Sequence, residues 1–207
     1  MPIVTISRQY GSGGSEVAER VATALGWHLY DNDMVDEVAR RLGISTAEVS
    51  AREERVPSLP ERIATAMALG VPEVMPTVAD LSSEPSEERI VEVTKRVIEE
   101  AVQAGPAVLV GRGAQCMLAS RTDALHVFCY APADVLASYV ITNFGASPAE
   151  AHRIVAEKNH QREQYVKRYW KRNWRDLANY HLCVNTAWLG LDGAADVVVQ
   201  LARERFG

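Results

Sequence analysis

Ile3-Val4-Thr5-Ile6-Ser7-Arg8-Gln9-Tyr10-Gly11-Ser12-Gly13-Gly14-Ser15 stands near the start of the chain, and its reading decides the fold. A β-branched run, Ile3 to Ile6, leads into a glycine cluster. Ser15 to Leu25 then places Val17, Ala18, Val21, Ala22 and Leu25 on one helical face, with Gly26 as the stop. Strand, glycine-rich turn and helix in that order aim backbone N–H groups and a helix N-terminus at one point, which suits an anion. The standard phosphate loop reads Gly-x-x-x-x-Gly-Lys-Ser/Thr. In the window Arg8 to Ser15, Arg8 stands at the first glycine and Gly14 at the lysine, while Ser15 keeps the hydroxyl that would meet magnesium. The competing reading is a plain glycine turn that binds nothing; the placement between strand and helix favours the phosphate loop, on Gly11, Ser12, Gly13, Gly14 and Ser15. The missing lysine would carry charge to a transferred phosphate. Another cation must replace it, either Arg8 turning inward from the strand end or a basic segment further on.

Working outward, Trp27 to Tyr30 reads as a second strand, followed by helices over Asp33 to Leu42 and Ser45 to Arg55. Five of the nine prolines fall in the 29 residues from Pro57 to Pro85, which marks a loop-rich insertion with room for a short helix over Glu61 to Leu69. A helix capped at Ser86 runs to Ala104. Ala107 to Val110 and Leu125 to Tyr130 are apolar runs of the kind buried in a parallel sheet. Helices over Pro132 to Phe144 and Pro148 to Tyr169, a short strand at Leu182 to Val184 and a last helix over Asp192 to Phe206 complete the pattern. Strands alternating with helices predict one α/β domain over residues 1–207, with a mainly parallel sheet flanked by helices. Ligands in such sheets bind at the carboxyl ends of the strands.

Composition narrows the function classes. The 207 residues are 47% hydrophobic and carry a net charge of −5, which argues against a general electrostatic grip on nucleic acid. No apolar run approaches the ~20 residues that span a bilayer, and no leader-like segment opens the chain. Cys116, Cys129 and Cys183 are far apart and in apolar surroundings, so they read as buried free thiols in a reducing cytoplasm, and no Cys-x-x-Cys pair offers a zinc site. His28, Trp27 and Trp188 read as structural or packing residues, and His160 and His181 lie where titration near neutral pH is expected. The apolar helix faces suit a homodimer.

Residues 158–175 hold seven cations against one acid, Glu163, and interleave them with Tyr165, Tyr169, Trp170 and Trp174. Three readings compete: a solvated basic face, a nucleic-acid patch, and a lid whose arginines clamp phosphate charge as it develops. The upstream phosphate loop favours the lid, with Arg162 as the leading clamp and Arg168 as a second.

At this point the residues resemble the cytidylate-kinase-like proteins, a branch whose phosphate loop lacks the usual lysine. The stretches that carry the resemblance are Ile6 to Gly14, Val110-Gly111-Arg112-Gly113-Ala114, Ala131-Pro132, Trp174, Asn179-Tyr180 and Asn185-Thr186. The resemblance implies a P-loop nucleoside-monophosphate-kinase fold with core, helical acceptor-binding region and lid, and ATP with Mg2+ as phosphoryl donor. It implies that Arg112 contacts the acceptor. It places Tyr30-Asp31-Asn32-Asp33 at the acceptor pocket, where Asp31 or Asp33 would hold magnesium through water or orient the acceptor; helix capping is the alternative for both. The chain departs from the family pattern at Asn159-His160-Gln161-Arg162, where an aspartate usually begins the lid, at Tyr180-His181, at Asp134-Val135-Leu136, and at Met34-Val35-Asp36, where an acceptor arginine is usual. The acceptor therefore stays open among a nucleotide, a nucleoside and a small alcohol or phosphate. A regulatory nucleotide-binding module without turnover is the alternative to a kinase.

Overall fold

The computed structural model describes residues 1–47, 49 and 87–207, apart from the side chains of residues 32, 33 and 87. The expectations for the proline-rich segment 57–85, including the helix at Glu61 to Leu69, lie outside the described residues. In chain order the elements are β1 (Ile3–Arg8), α1 (Gly14–Leu25), β2 (His28–Tyr30), α2 (Asn32–Leu42), α3 (Glu87–Ala104), β3 (Ala107–Val110), α4 (Ala114–Met117), β4 (Ala124–Tyr130), α5 (Ala133–Phe144), α6 (Pro148–Trp170), a 3-10 turn (Leu177–Asn179), β5 (Leu182–Asn185) and α7 (Thr186–Phe206). The strands form one sheet in the order β2-β3-β1-β4-β5, and every pairing is parallel. β1 is central: the chain passes from it to the edge at β2, returns to β3, and then crosses to β4 and β5 on the other side of β1. The carboxyl end of β1 is therefore the switch point of the sheet, where a crevice opens.

Alternation along β1 shows how both faces are covered. Val4 and Ile6 point to one face, where Val17 and Val21 of α1 and Val198 and Val199 of α7 bury them. Ile3 points to the other, into the cluster of Met34, Val38, Ile90, Ile98 and Leu109 built by α2, α3 and β3. Strands buried on both faces read as continuous apolar runs, which is why Ala107 to Val110 was legible without error. β1 runs two residues past Ile6, because Ser7 and Arg8 continue the ladder with Phe128 and Cys129 of β4. The last helix begins at Thr186, capped by Asn185, and breaks at Gly190 (φ 70°, ψ 172°) before the segment expected from Asp192.

Three expectations need correction. Trp188 is 84% exposed, because the break at Gly190 sets its turn off from the rest of α7, which packs on the sheet. His28 is exposed rather than held in the core, its ring edge-on to Tyr30 at 4.3 Å. Of the three free thiols only Cys129 is buried; Cys116 and Cys183 are half-buried. Trp27 does pack against the core, beside Phe206. No helix among the described residues is long and apolar enough to cross a membrane.

His181 meets a partner that the sequence did not single out. His126 on β4 lies in the sheet with Thr5 Oγ1 2.8 Å from its Nδ1, and its ring stacks on His181 at 4.9 Å. The His126 N–H donates to His181 Nδ1 at 3.0 Å. Burial, helped by the neighbouring His181, brings the His126 pKa down to about 4. An unfolded chain takes up this proton below about pH 6.5, while the folded protein refuses it until about pH 4, so stability falls as pH falls across that window. Urea midpoints at pH 7 and 4.5 should show the natural protein losing about 2 kcal/mol more than His126→Gln. Equal losses in the two proteins would contradict this.

Candidate active site

The loop after β1 is held from several sides. The Gln9 N–H donates to the Cys129 carbonyl at 3.0 Å, and Gln9 Oε1 accepts from the Ala131 N–H at 3.1 Å, so the loop starts pinned to the end of β4. Ser12 closes the turn: its N–H and its hydroxyl both donate to the Gln9 carbonyl, at 3.2 and 2.8 Å. The Ser12 side chain is thus buried and spent inside the loop. Gly11 (φ 82°) and Gly13 (φ 69°) take the left-handed backbone that the turn requires. α1 then starts at Gly14, and its N-cap residue, Gly13, offers no side chain to cap it. Its first-turn N–H groups have no intrahelical partner by geometry, so they point from the helix start toward the crevice.

Three arginines meet beside this loop. Arg8 Nη2 lies 3.5 Å from Asp31 Oδ1 at the end of β2. Arg162 of α6 donates from Nη1 to the Arg8 carbonyl at 2.6 Å and lies over the Tyr10 ring at 5.6 Å. Arg112 follows β3 with φ 55°, in a tight turn between Gly111 and Gly113. A cleft of about 90 Å³ is lined by Ser7, Arg8, Arg112, Gln115, Arg162 and Tyr165, among others. That is room for a few waters or one phosphate-sized group. Three cations against the Asp31 carboxylate make it a site for negative charge. Burial pulls the Arg112 pKa down to about 10, and nearby Arg8 adds to this against Tyr165 and Asp31. At that value Arg112 is still charged at neutral pH, and an anion in the cleft would relieve the crowding. The Tyr165 hydroxyl is buried without a hydrogen-bond partner among the described residues, and burial pushes its pKa up.

The helix read as a lid is seated on the loop. Asn159, 4% exposed, accepts from the Tyr10 N–H at 2.8 Å, one turn before Arg162. The residue that departs from the aspartate pattern therefore holds the phosphate loop by its side-chain oxygen. The seat continues at Gly113, where a Cβ would overlap the Trp170 indole.

The expected residues divide accordingly. Gly11 to Ser15, Arg8, Asp31, Arg112 and Arg162 converge at the carboxyl ends of β1, β2 and β3. Arg168 does not join them. It lies six residues after Arg162, about 240° round the helix, pairs with Glu88 of α3 at 3.2 Å and covers the Tyr169 ring. Asp33 lies in the first turn of α2, and the expectation for its side chain falls outside the described residues. Asp31 meets Arg8, so a magnesium role for it competes with that ion pair. Among the described residues no group of three or more His, Cys, Asp or Glu could hold a metal ion. A magnesium ion here would rest chiefly on phosphate oxygens and water, which is its usual habit, with the Ser15 hydroxyl as the protein ligand. Gln115 escaped the sequence reading; Tyr165 and Trp174 entered it only as aromatics interleaved with the basic segment, Trp174 also as part of the resemblance, and Asn159 only as a departure from the family pattern.

Comparison with known proteins shows the fold and the family. The chain is 24% identical over 198 residues to a cytidylate kinase of Halobacterium salinarum, covering 95% of this chain and 87% of that one. A crystal structure of an uncharacterized protein from Eubacterium ventriosum superimposes with a TM-score of 0.72 at 19% identity, covering 99% of this chain and all of that one. Shikimate kinase from Bacteroides thetaiotaomicron superimposes with a TM-score of 0.54 at 13% identity, over 98% of both chains. The fold is that of the P-loop kinases. The model of the cytidylate kinase-like family matches residues 3–187, and the chain belongs to that family.

Proposed function

We propose that this protein is an ATP-dependent phosphotransferase acting on a nucleoside monophosphate, cytidylate-like, or a related small molecule. The observation that carries the reading is the meeting of Arg8, Arg112 and Arg162 in a cleft beside the start of α1, at the switch point of a parallel sheet. The ATP phosphates lie on Gly11 to Ser15. Magnesium would be held by the Ser15 hydroxyl and, through water, by Asp31 in competition with Arg8, and would supply neutralisation of phosphate charge. Arg112 takes the negative charge of the acceptor, and Asp33 stands on the acceptor side. Arg162 and Arg8 meet the charge that develops on the transferring group. In the transfer, the bond from the terminal phosphorus to its bridging oxygen breaks and its electron pair leaves on ADP, while an acceptor oxygen bonds to the same phosphorus. A hydroxyl acceptor gives its proton to water, and a phosphate acceptor has none to give. Arg168 takes no part, since it is engaged with Glu88 outside the cleft.

Calorimetric titration with Mg-ATP, followed by ADP release across nucleoside monophosphates, nucleosides and small hydroxy acids, tests this reading. Binding and ADP release with one acceptor class are expected. Absence of Mg-ATP binding would refute it. Binding with no release on any acceptor would favour a regulatory module without turnover.

A further inference from the structure

We infer that the cation of the phosphate loop and the glycine that makes room for it have exchanged places in this protein. The standard motif has glycine first and lysine seventh; here arginine is first, at Arg8, and glycine seventh, at Gly14, with Gly13 and Ser15 kept between and after them. The inference rests on the phosphotransferase reading and assigns the source of its missing charge.

The two positions are neighbours in space. A Cβ on Gly14 would overlap Arg8 Cβ, lie 2.9 Å from its Cγ and stand 3.2 Å from Cys129 Cβ. Either position can carry a side chain into this space, but not both. The Arg8 stem crosses the start of α1, and its guanidinium then passes over Gly111, where a Cβ would overlap Nη1 and lie 3.3 Å from Cζ. Gly111 cannot withdraw, because its N–H donates to the Ile6 carbonyl at 3.0 Å. The guanidinium is steadied by Asp31, and the Arg8 main chain by Arg162. Gly14 and Gly111 are thus the two walls of a track for Arg8, which ends in the cleft. Lysine offers a mobile point charge from the helix. Arginine here offers a planar fork, aimed from the strand and held by a carboxylate, which can meet two phosphate oxygens at once.

A double-mutant cycle tests the exchange. Arg8→Gly and Gly14→Lys together rebuild the standard motif, and each alone breaks the arrangement. Arg8→Gly is expected to reduce ADP release about 10²–10³-fold, the usual cost of one preorganised charge contact. Arg8→Met, which keeps the stem, should lose about as much, so that the loss belongs to charge rather than packing. Gly14→Lys alone should be as inactive and should melt at a lower temperature than the natural protein. The double variant should recover most of the activity and the melting temperature. Multiplying losses in the double variant, or normal turnover by Arg8→Met, would overturn the exchange while a natural protein that binds Mg-ATP and releases ADP upheld the phosphotransferase reading. A natural protein that bound no Mg-ATP would overturn both.

Discussion

Arg162→Ala is expected to lower the rate of phosphoryl transfer by about 10³-fold or more while changing the Mg-ATP dissociation constant far less. The size follows from how many tasks one side chain performs. Its Nη1 holds the Arg8 carbonyl at 2.6 Å, its guanidinium covers the Tyr10 ring, and it lines the cleft between the phosphate loop and Arg112. A hydrogen bond from a charged donor contributes about 1.5–3 kcal/mol. Loss of an arginine that meets transition-state charge costs about 10³–10⁵ in rate. Lysine should not rescue it, because an ammonium cannot stack on Tyr10 and donate along the same direction. Asn159→Ala removes only the acceptor for the Tyr10 N–H. It should cost about tenfold, within the 0.5–1.5 kcal/mol of a neutral hydrogen bond. Single-turnover rates and ATP titrations of the three variants separate these effects. An Arg162→Ala protein within tenfold of normal turnover would remove Arg162 from the chemistry.

The contrast between Arg162 and Arg168 shows where a sequence stops being legible. Both lie in the basic segment, and both were natural choices for a clamp. Their spacing of six residues puts them on different sides of α6, and packing chose: Asn159, Tyr165 and Val166 are buried on the side that carries Arg162, while Arg168 turns to Glu88. The core elements were readable because local pattern decides them. Buried parallel strands are apolar throughout, and glycine marks the ends of α1, α2 and α5. The cleft depends on contacts between distant parts of the chain. Tyr10 and Asn159 are 149 residues apart, and Arg8 and Arg162 are 154 apart. The composition of neither segment announces the other. Gly14 was visible in the sequence as a defect in a motif. Only its distance from Arg8 turns the defect into a place for the arginine stem. Trp188 failed for a local reason, since a single non-helical glycine at 190 set off the turn that carries it.

Gly11→Ala should be a strongly damaging one-carbon change in the loop. At φ 82° an L-residue is strained, which costs about 1–2 kcal/mol. The added Cβ would also lie 2.6 Å from the Leu136 carbonyl oxygen and 3.2 Å from its carbonyl carbon. These are backbone atoms in α5, and that carbonyl cannot swing aside like a side chain. The loop must move instead, and its N–H groups move with it. Gly26→Ala is the matching control: φ is 67°, at the end of α1, and a Cβ there meets nothing within 4 Å among the described residues. The control should lose only the strain, about 1–2 kcal/mol, and keep Mg-ATP binding. Gly11→Ala should lose about 3 kcal/mol or more, strain plus overpacking, and weaken Mg-ATP binding at least 100-fold. Urea titrations give the first pair of numbers and calorimetry the second. If both variants lost the same stability and both bound Mg-ATP normally, the contact of Gly11 with α5 would not fix the loop, and the phosphates would have to be held elsewhere.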